Sequence, residues 1–414
     1  MNICPDNKCT GCFACAASCP QKCISMQENK YGELHPVVEE EKCVQCGLCQ
    51  KICPNNNPLV FNYPHACYAS WITDSKKRRI CASGGIGTIM SEYVIENCNG
   101  VVFGSRYNER MSPVMTYAEN IEELEYYKGS RYVQSIFIVE TYNQIKTFLK
   151  SGRKVLFIGT PCQVAGLKGF LRKEWDNLIT VDLICHGCTP TRYFEEELSY
   201  ICSQEKITDV SDVRFRGNDG NDFAYTIWGG FSDLNGEHPK GKLNRLFYKK
   251  GCSSYYLAGF LLGVTLRENC FNCIYARPER ISDITIGDFI GLGKEASFDY
   301  SKRNVSSVLI NTDKGKEFYD SVSEFKNELV NVERNYSERL AYKPSLIHPF
   351  ERHPLNKAFK DSYLEGGYIY ASRKVLATEV NIAEKSEKRK RRLRMLLLPF
   401  RVIRKIYRII AHII

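Results

Sequence analysis

Two runs of cysteine constrain this chain more than anything else in it. Cys9-x2-Cys12-x2-Cys15-x3-Cys19-Pro20 and Cys43-x2-Cys46-x2-Cys49-x3-Cys53-Pro54 are the same pattern written twice. Three thiolates two residues apart wrap one face of an iron–sulfur cubane, while the fourth, carried onto a following turn, points away and serves the other cluster. Cys19 is therefore expected with Cys43, Cys46 and Cys49, and Cys53 with Cys9, Cys12 and Cys15. The proline after each last cysteine lacks an N–H and stops the helical turn there. This is the bacterial ferredoxin run, holding two [4Fe–4S] clusters; tetrahedral zinc would not need eight thiolates in a doubled arrangement. Cys4 and Cys23 fall outside the pattern and read as packed thiols.

Ten of the 20 cysteines lie in residues 1–58. Thiolates that hold iron must stay reduced, and nothing at the N-terminus resembles an export signal, so a cytoplasmic setting is expected. A chain of 414 residues with 43% hydrophobic side chains can bury more than one core. Its net charge of +10 invites a nucleic-acid reading until the charge is located. Residues 384–414 carry eleven Lys/Arg against Glu384 and Glu387, which leaves the body nearly neutral and gives no case for a nucleic-acid groove.

Asn55-Asn56-Asn57-Pro58 reads as a linker after the cysteine-rich segment. From 64 to 155 apolar runs alternate with helix-length polar segments: Ala66–Trp71, Ile86–Glu96, Gly100–Gly104 and Ile136–Lys150. Lys154–Ile158 and Leu178–Ile184 suit buried strands with a helix between them. Arg214–Lys242 reads as a glycine-rich strand-and-turn meander, and Tyr255–Val264, about half the roughly 20 residues needed to cross a bilayer, as a buried helix. A strand-like run, Ile281–Phe289, follows, then a strand at Ser307–Asn311 and an amphipathic helix capped by Thr312. The expected architecture is a multidomain α+β and α/β chain: a ferredoxin domain at 1–58, mixed α/β regions at 64–155 and 156–350, and a basic amphipathic tail at 384–414.

Three glycine-containing segments invite a ligand. Ser83-Gly84-Gly85-Ile86-Gly87-Thr88 opens a helix and offers backbone N–H groups to an anion, although a glycine-rich helix cap looks identical. Gly129-Ser130-Arg131-Tyr132 adds a cation and a ring to what is otherwise an ordinary turn. Gly159-Thr160-Pro161-Cys162-Gln163 follows a strand, where α/β folds place ligand loops. Asp283 and Asp288 read equally as turn caps and as groups orienting a cofactor, and His186 as a hydrogen-bonded core residue. No Ser/His/Asp series, Walker loop or His-Glu-x-x-His run points to hydrolysis.

Together with Cys185-His186-Gly187, Cys270-x2-Cys273 and Ser282-Asp283-Ile284-x2-Gly287-Asp288-Phe289, these segments resemble the beta-subunit family of coenzyme F420 hydrogenases and dehydrogenases, in its bacterial branch with a fused ferredoxin domain. The resemblance covers roughly residues 3–350. It implies a flavin-binding type of α/β domain and an iron–sulfur flavoprotein oxidoreductase that binds FAD. Ser83, Gly84, Gly85 and Thr88 then match the flavin phosphate region, and Ser130, Arg131 and Tyr132 another flavin-side segment, where the family often carries lysine in place of Arg131. Cys162, Cys185, Cys270 and Cys273 match four recurrent cysteines that ligate a third [4Fe–4S] cluster. Cys188 departs from the pattern, because Cys185-x2-Cys188 with Cys270-x2-Cys273 also reads as a Cys4 zinc site.

The expected function is a relay of electrons between the clusters, a flavin and a two-electron substrate or redox partner protein. Two rivals stand beside it: a flavin-free electron-transfer subunit that docks a partner enzyme, and an accessory protein of cell-envelope polysaccharide synthesis. In the tail, Arg401, Arg404, Lys405, Arg408 and His412 recur on one side and Val402, Ile403, Ile406, Tyr407, Ile410 and Ile413 on the other, with Pro399 as a helix break. Such a helix is expected to lie on an anionic membrane surface, at the inner face of the membrane, without spanning it.

Overall fold

The computed structural model describes residues 1–57, 59–216, 222–229, 244–300, 304–342 and 344–410, with side chains described up to 393. The cysteine-rich segment folds around a short helix α1 (Ala14–Ser18), a hairpin of β1 (Ile24–Glu28) and β2 (Leu34–Val38), and a second short helix α2 (Leu48–Lys51). Each helix starts just after a residue in the left-handed region, Phe13 before α1 and Gly47 before α2, so the duplicated run is repeated in conformation as well as in sequence.

The body is one eight-stranded sheet, built in chain order from β3 (Ala66–Ile72), β4 (Val101–Tyr107), β5 (Pro113–Ala118), β6 (Val155–Gly159), β7 (Leu178–Leu183), and, after a separate three-stranded sheet, the later strands. That small antiparallel sheet comprises β8 (Asp212–Arg216), β9 (Phe223–Gly229) and β10 (Asn244–Lys250); of the meander expected at Arg214–Lys242, 217–221 and 230–242 lie outside the described residues, and the third strand falls beyond its end. β11 (Ile284–Asp288), β12 (Ser306–Ile310) and β13 (Leu329–Arg334) complete the large sheet in the order β13-β3-β12-β11-β7-β6-β4-β5. Its middle is parallel: β4 pairs with β6, β6 with β7 and β7 with β11. The expected boundary at 155/156 falls within β6, after β3, β4 and β5 and before the other four strands of this sheet.

Both faces of the sheet are covered, as a parallel sheet requires. Phe103 and Phe157 point to one face, where Ile145 and Leu149 of a helix at Val139–Lys150 and Val164 and Leu167 of a helix at Pro161–Leu171 bury them. Their neighbours Val102 and Leu156 point to the other, against Ile89, Met90 and Val94 of a helix at Ile86–Cys98 and Phe318 of one at Asp313–Glu324. The alternation is the two-residue period of a strand. Thr312 caps the last of these helices as expected, its Oγ1 accepting from Gly315 N–H at 3.0 Å.

A third core joins the small sheet to three helices, Thr191–Glu205, Tyr255–Leu261 and the long C-terminal helix Leu355–Ile410, which bends at Gly366 and Gly367. Tyr368, Ala371, Leu376 and Val380 anchor that long helix in the core, and Lys249 holds Glu384 at 2.6 Å where the helix leaves the body. The basic segment is thus a continuation of a helix rooted in the fold, and the backbone stays helical through Pro399, where a break was expected. The amphipathic pattern from Arg401 to Ile413 falls on side chains outside the described residues. Among the described residues, no helix is long and apolar enough to cross a membrane.

Candidate functional site

In the N-terminal domain the eight motif cysteines gather as two sets. Cys12 is pushed up to about 12 by burial and further by the charges of Cys9 and Cys53, and Cys15 is raised by burial and by Cys12, Cys9 and Cys53. Cys49, raised mainly by burial, feels Cys46 and Cys19 in turn. Cys53 thus lies near Cys12 and Cys15, and Cys19 near Cys49. Cys4 and Cys23 are buried, and each sits against a motif cysteine: Cys4 packs with Cys9 and Cys53, its thiol donating to the Pro5 carbonyl at 3.7 Å, and the Cys23 and Cys19 sulfurs lie 3.4 Å apart.

The domain is clamped onto the body by small residues and one arginine. A Cβ on Gly166 would stand 2.8 Å from the Cβ of Cys12 and 3.0 Å from its Sγ, and one on Gly169 would stand 2.4 Å from the Ile52 carbonyl oxygen. Two glycines three residues apart make one bare strip along the helix Pro161–Leu171, and the cysteine loops lie on it. Arg267, only 1% exposed, donates to the carbonyl oxygens of Cys9 and Leu34 (both 3.2 Å), to Gln134 Oε1 at 2.7 Å and to Asn269 Oδ1 at 3.1 Å. Tyr142 O–H donates to the Cys12 carbonyl. Nothing in the sequence pattern marked Arg267 or Gly166; a buried arginine beside a cysteine pair was the available signal.

Beyond this seam a cavity of about 370 Å³ opens at the carboxyl ends of the parallel strands, the edge where open α/β sheets take ligands. Cys162, Cys185, Cys270 and Cys273 all line it, although they come from three separate stretches of chain. Cys162 sits in the first turn of its helix, placed there by a capping box in which Thr160 and Gln163 serve each other's backbone N–H, with Pro161 at the first position. Cys185 follows β7, and Gly187, at φ +128°, folds the loop back so that its N–H donates to the Cys185 sulfur at 3.3 Å. Cys270 accepts from the Cys188 N–H at 3.4 Å. Burial raises the Cys162 thiol first, and the charges of Cys185, Cys273 and Cys12 add to it. Burial likewise lifts Cys273 to about 11. Clustered sulfurs of this kind, with Cys185, Cys270 and Cys273 accepting backbone N–H groups and Cys162 beside the Thr160 hydroxyl at 3.2 Å, suit thiolates neutralised by iron. Cys188 donates its thiol to Cys185 and lines the same cavity. Among the described residues, no group of three or more His, Cys, Asp or Glu side chains is placed to hold a metal ion, at these cysteines or at those of the doubled run.

The expected flavin-side residues divide. Ser83, Thr88, Ser130, Arg131 and Tyr132 line the cavity; Gly84 and Gly85 do not. The Gly84 N–H is taken by Ser306 Oγ at 2.9 Å, and a Cβ there would meet the Ser70 carbonyl at 2.3 Å, so the close approach is to the sheet and not to a phosphate. Gly85, at φ +85°, packs against Ile72. Ile86 and Gly87, the first two residues of the helix Ile86–Cys98, do line the cavity. Arg131 lies over the Tyr107 ring at 4.7 Å and donates to the Tyr126 carbonyl at 2.6 Å. Tyr132 stacks on Phe260 with ring centres 5.0 Å apart, accepts from Arg216 Nε at 2.5 Å, and is lifted to about 12 by burial.

The two aspartates part company. Asp283 is structural, accepting from the Thr180 N–H at 2.8 Å and the Thr312 hydroxyl at 2.9 Å. Asp288 lines the cavity and accepts from Arg216. His186 also lines it, with Nε2 3.1 Å from the Phe260 carbonyl and its ring against Phe260 and Phe350.

Comparison with known proteins finds two matching segments. Residues 8–57 match the 4Fe-4S dicluster domain, and residues 152–334 match the family described as the C terminus of the coenzyme F420 hydrogenase/dehydrogenase beta subunit. The chain is 36% identical over 53 residues to NADH-quinone oxidoreductase subunit I 2 of Geobacter metallireducens, a stretch that is 11% of this chain and spans 40% of that relative. Among solved structures, a chain of the F420-reducing [NiFe] hydrogenase complex from Methanosarcina barkeri aligns with 16% identity and a TM-score of 0.39, covering 67% of this chain and 84% of that one.

Proposed function

We propose that this chain, which joins a 4Fe-4S dicluster domain to a C-terminal domain of the coenzyme F420 hydrogenase/dehydrogenase beta-subunit family, carries electrons from its ferredoxin clusters through a third cluster to a flavin in the cavity. One observation carries the reading: Cys12 packs on the helix whose first turn holds Cys162, and Cys162 shares a cavity with Cys185, Cys270, Cys273 and the Ser130–Tyr132 segment. In this assignment Cys9, Cys12, Cys15 and Cys53 hold the cluster nearest the body, Cys19, Cys43, Cys46 and Cys49 the outer one, and Cys162, Cys185, Cys270 and Cys273 the third. Cys46 is exposed, which puts the outer cluster where a soluble donor or acceptor can reach it.

The residues present fit a flavin. The cavity is lined by Lys128, Arg131, Arg216, Arg267, Arg280 and Arg339, against Asp288 as the carboxylate among the described lining residues, so it favours a ligand bearing negative phosphate. A bound flavin, FAD in the family's usual form, supplies the exchange between single electrons and a hydride. The protein's part is positional. Tyr132, stacked on Phe260 and held by Arg216, offers an aromatic wall, and Ile86 and Gly87 offer N–H groups at a helix start. Arg216 in turn is fixed by Asp288, which keeps its charge at the cavity wall instead of in solvent.

An anaerobic inventory of iron, sulfide, zinc and flavin tests this. About 12 iron atoms per chain are expected, at four per cubane, falling to about eight in a Cys270→Ser/Cys273→Ser variant that keeps its ferredoxin clusters. Loss of zinc with unchanged iron, or wild-type protein that shows no flavin absorbance once its clusters are bleached, would overturn the third cluster or the flavin respectively. The tail is read as a membrane-surface helix: full-length chain should sediment with anionic vesicles and be released by salt.

A further inference from the structure

Three arginines that line the cavity, Arg131, Arg267 and Arg339, form no salt bridge among the described residues; Arg131 donates to the Tyr126 and Tyr127 carbonyls with its Nε unpartnered, Arg267 has four acceptors, and Arg339 has one. Arg339 lies on the short helix Tyr336–Leu340, beyond the segment matched by the family, and is 1% exposed. Its Nε donates to Ser307 Oγ at 3.2 Å, while its Nη1 is buried with no hydrogen-bond partner among those residues. Asp288, the nearest candidate to pair with it, is engaged by Arg216, and Glu338, its chain neighbour, turns away to Arg334. A buried guanidinium with an idle N–H is costly, and proteins keep one where an anion arrives to use it. The fold contrasts it with its neighbours. Arg280 is as buried but is satisfied by Asp182 at 3.1 Å, Thr285 and two carbonyls, and Arg267 by four acceptors. Arg339 alone of these three lines the cavity with unspent donor capacity.

We infer that Arg339 is an oxyanion anchor of the cavity, taking a phosphate or carboxylate group of the molecule that binds there. The guanidinium fork suits either oxyanion. Its place is fixed by the sheet: β11 and β12 pair Gly287 with Ser307 and Asp288 with Ser306, so the serine that holds Arg339 stands beside the aspartate that holds Arg216. An oxyanion seated on Nη1 lies next to that Arg216–Asp288 pair, and the Asp288 carboxylate screens one of two guanidinium groups and leaves the other for the ligand. The inference deepens the proposed function by giving the ligand class for the same cavity, but it does not need the ligand to be a flavin.

The test uses the full-length, anaerobically prepared chain and four probes: pyrophosphate, malonate, FAD and riboflavin. Wild-type protein should be stabilised against heat by pyrophosphate or malonate, and Arg339→Met should weaken that binding by about 10- to 100-fold, the range for losing one charged hydrogen bond in a buried site. Arg339→Lys, which keeps charge and loses the fork, should fall between them. A role limited to packing predicts instead that Arg339→Met destabilises the unliganded chain and leaves every probe's affinity unchanged, which would overturn the inference. If pyrophosphate competes with FAD but not with riboflavin, the anion is the cofactor's; if it binds flavin-loaded protein equally, the anion is the two-electron partner's. Oxyanion binding through Arg339 in a chain that takes no flavin would support this inference while removing the flavin from the proposed function.

Discussion

Replacing Arg267 by methionine should loosen the ferredoxin domain from the body without touching a single sulfur. The side chain fills the same slot, so the loss is polar: four hydrogen bonds vanish, two of them to carbonyls of the cysteine-rich segment, and Gln134 Oε1, on a residue 7% exposed, loses its 2.7 Å donor. Glu33, 2% exposed, also loses a nearby cation and keeps the Glu268 N–H at 3.1 Å and Lys360 at 3.8 Å. Breaking a buried charged network by removing one member costs about 3–5 kcal/mol, and the four bonds are not additive, so about 4 kcal/mol is expected. Arg267→Lys, which reaches fewer of the four acceptors, should cost about half as much. The assay is urea unfolding of anaerobic, cluster-loaded protein, with limited proteolysis between residues 54 and 66 to report undocking. Wild-type iron content with faster cleavage there is the expected signature. A methionine variant within about 0.5 kcal/mol of wild type, cleaved at the wild-type rate, would refute the idea that this arginine holds the seam.

Three further outcomes follow from the geometry. Cys15→Ser should damage one ferredoxin cluster and Cys19→Ser the other, read by paramagnetic resonance of the reduced protein, and damage to the same cluster by both would refute the crossed ligation. Burial favours the neutral form of Glu268, but hydrogen bonds from Arg352 and Lys360 outweigh it and hold the carboxyl below its usual 4.5; its stabilisation is therefore complete above that pH and lost as pH falls through the lowered folded value, so Glu268→Gln should be less stable than wild type near neutrality and lose less stability on acidification. A chain ending at Ala383 should keep its clusters and lose the sedimentation with anionic vesicles that the full chain is expected to show, and equal sedimentation would set the membrane helix aside.

The sequence by itself determined whatever depends on neighbours along the chain. The doubled cysteine spacing decided the 4Fe-4S dicluster domain, because a cubane's reach is a matter of a few residues. Apolar runs placed the strands at Val155–Gly159, Leu178–Leu183 and Ser306–Ile310 to within a residue or two, and a threonine cap placed the start of the helix at Asp313–Glu324. Charge alone marked residue 384, where the long helix leaves its core. What only the tertiary structure decided is which distant residues meet. Cys162, Cys185, Cys270 and Cys273 were grouped by resemblance, and their convergence depends on parallel strand order, which no local pattern encodes. Gly84 and Gly85 looked like a phosphate cradle because a glycine-rich turn reads the same whether ligand or sheet approaches it; the Ser70 carbonyl and Ile72 side chain, distant in role but adjacent in space, settle which. Gly166 is an unremarkable helix residue until Cys12 lies on it, and Arg267 and Arg339, equally buried, are two arginines among many until hydrogen bonding separates the one with four acceptors from the one whose Nη1 has none among the described residues.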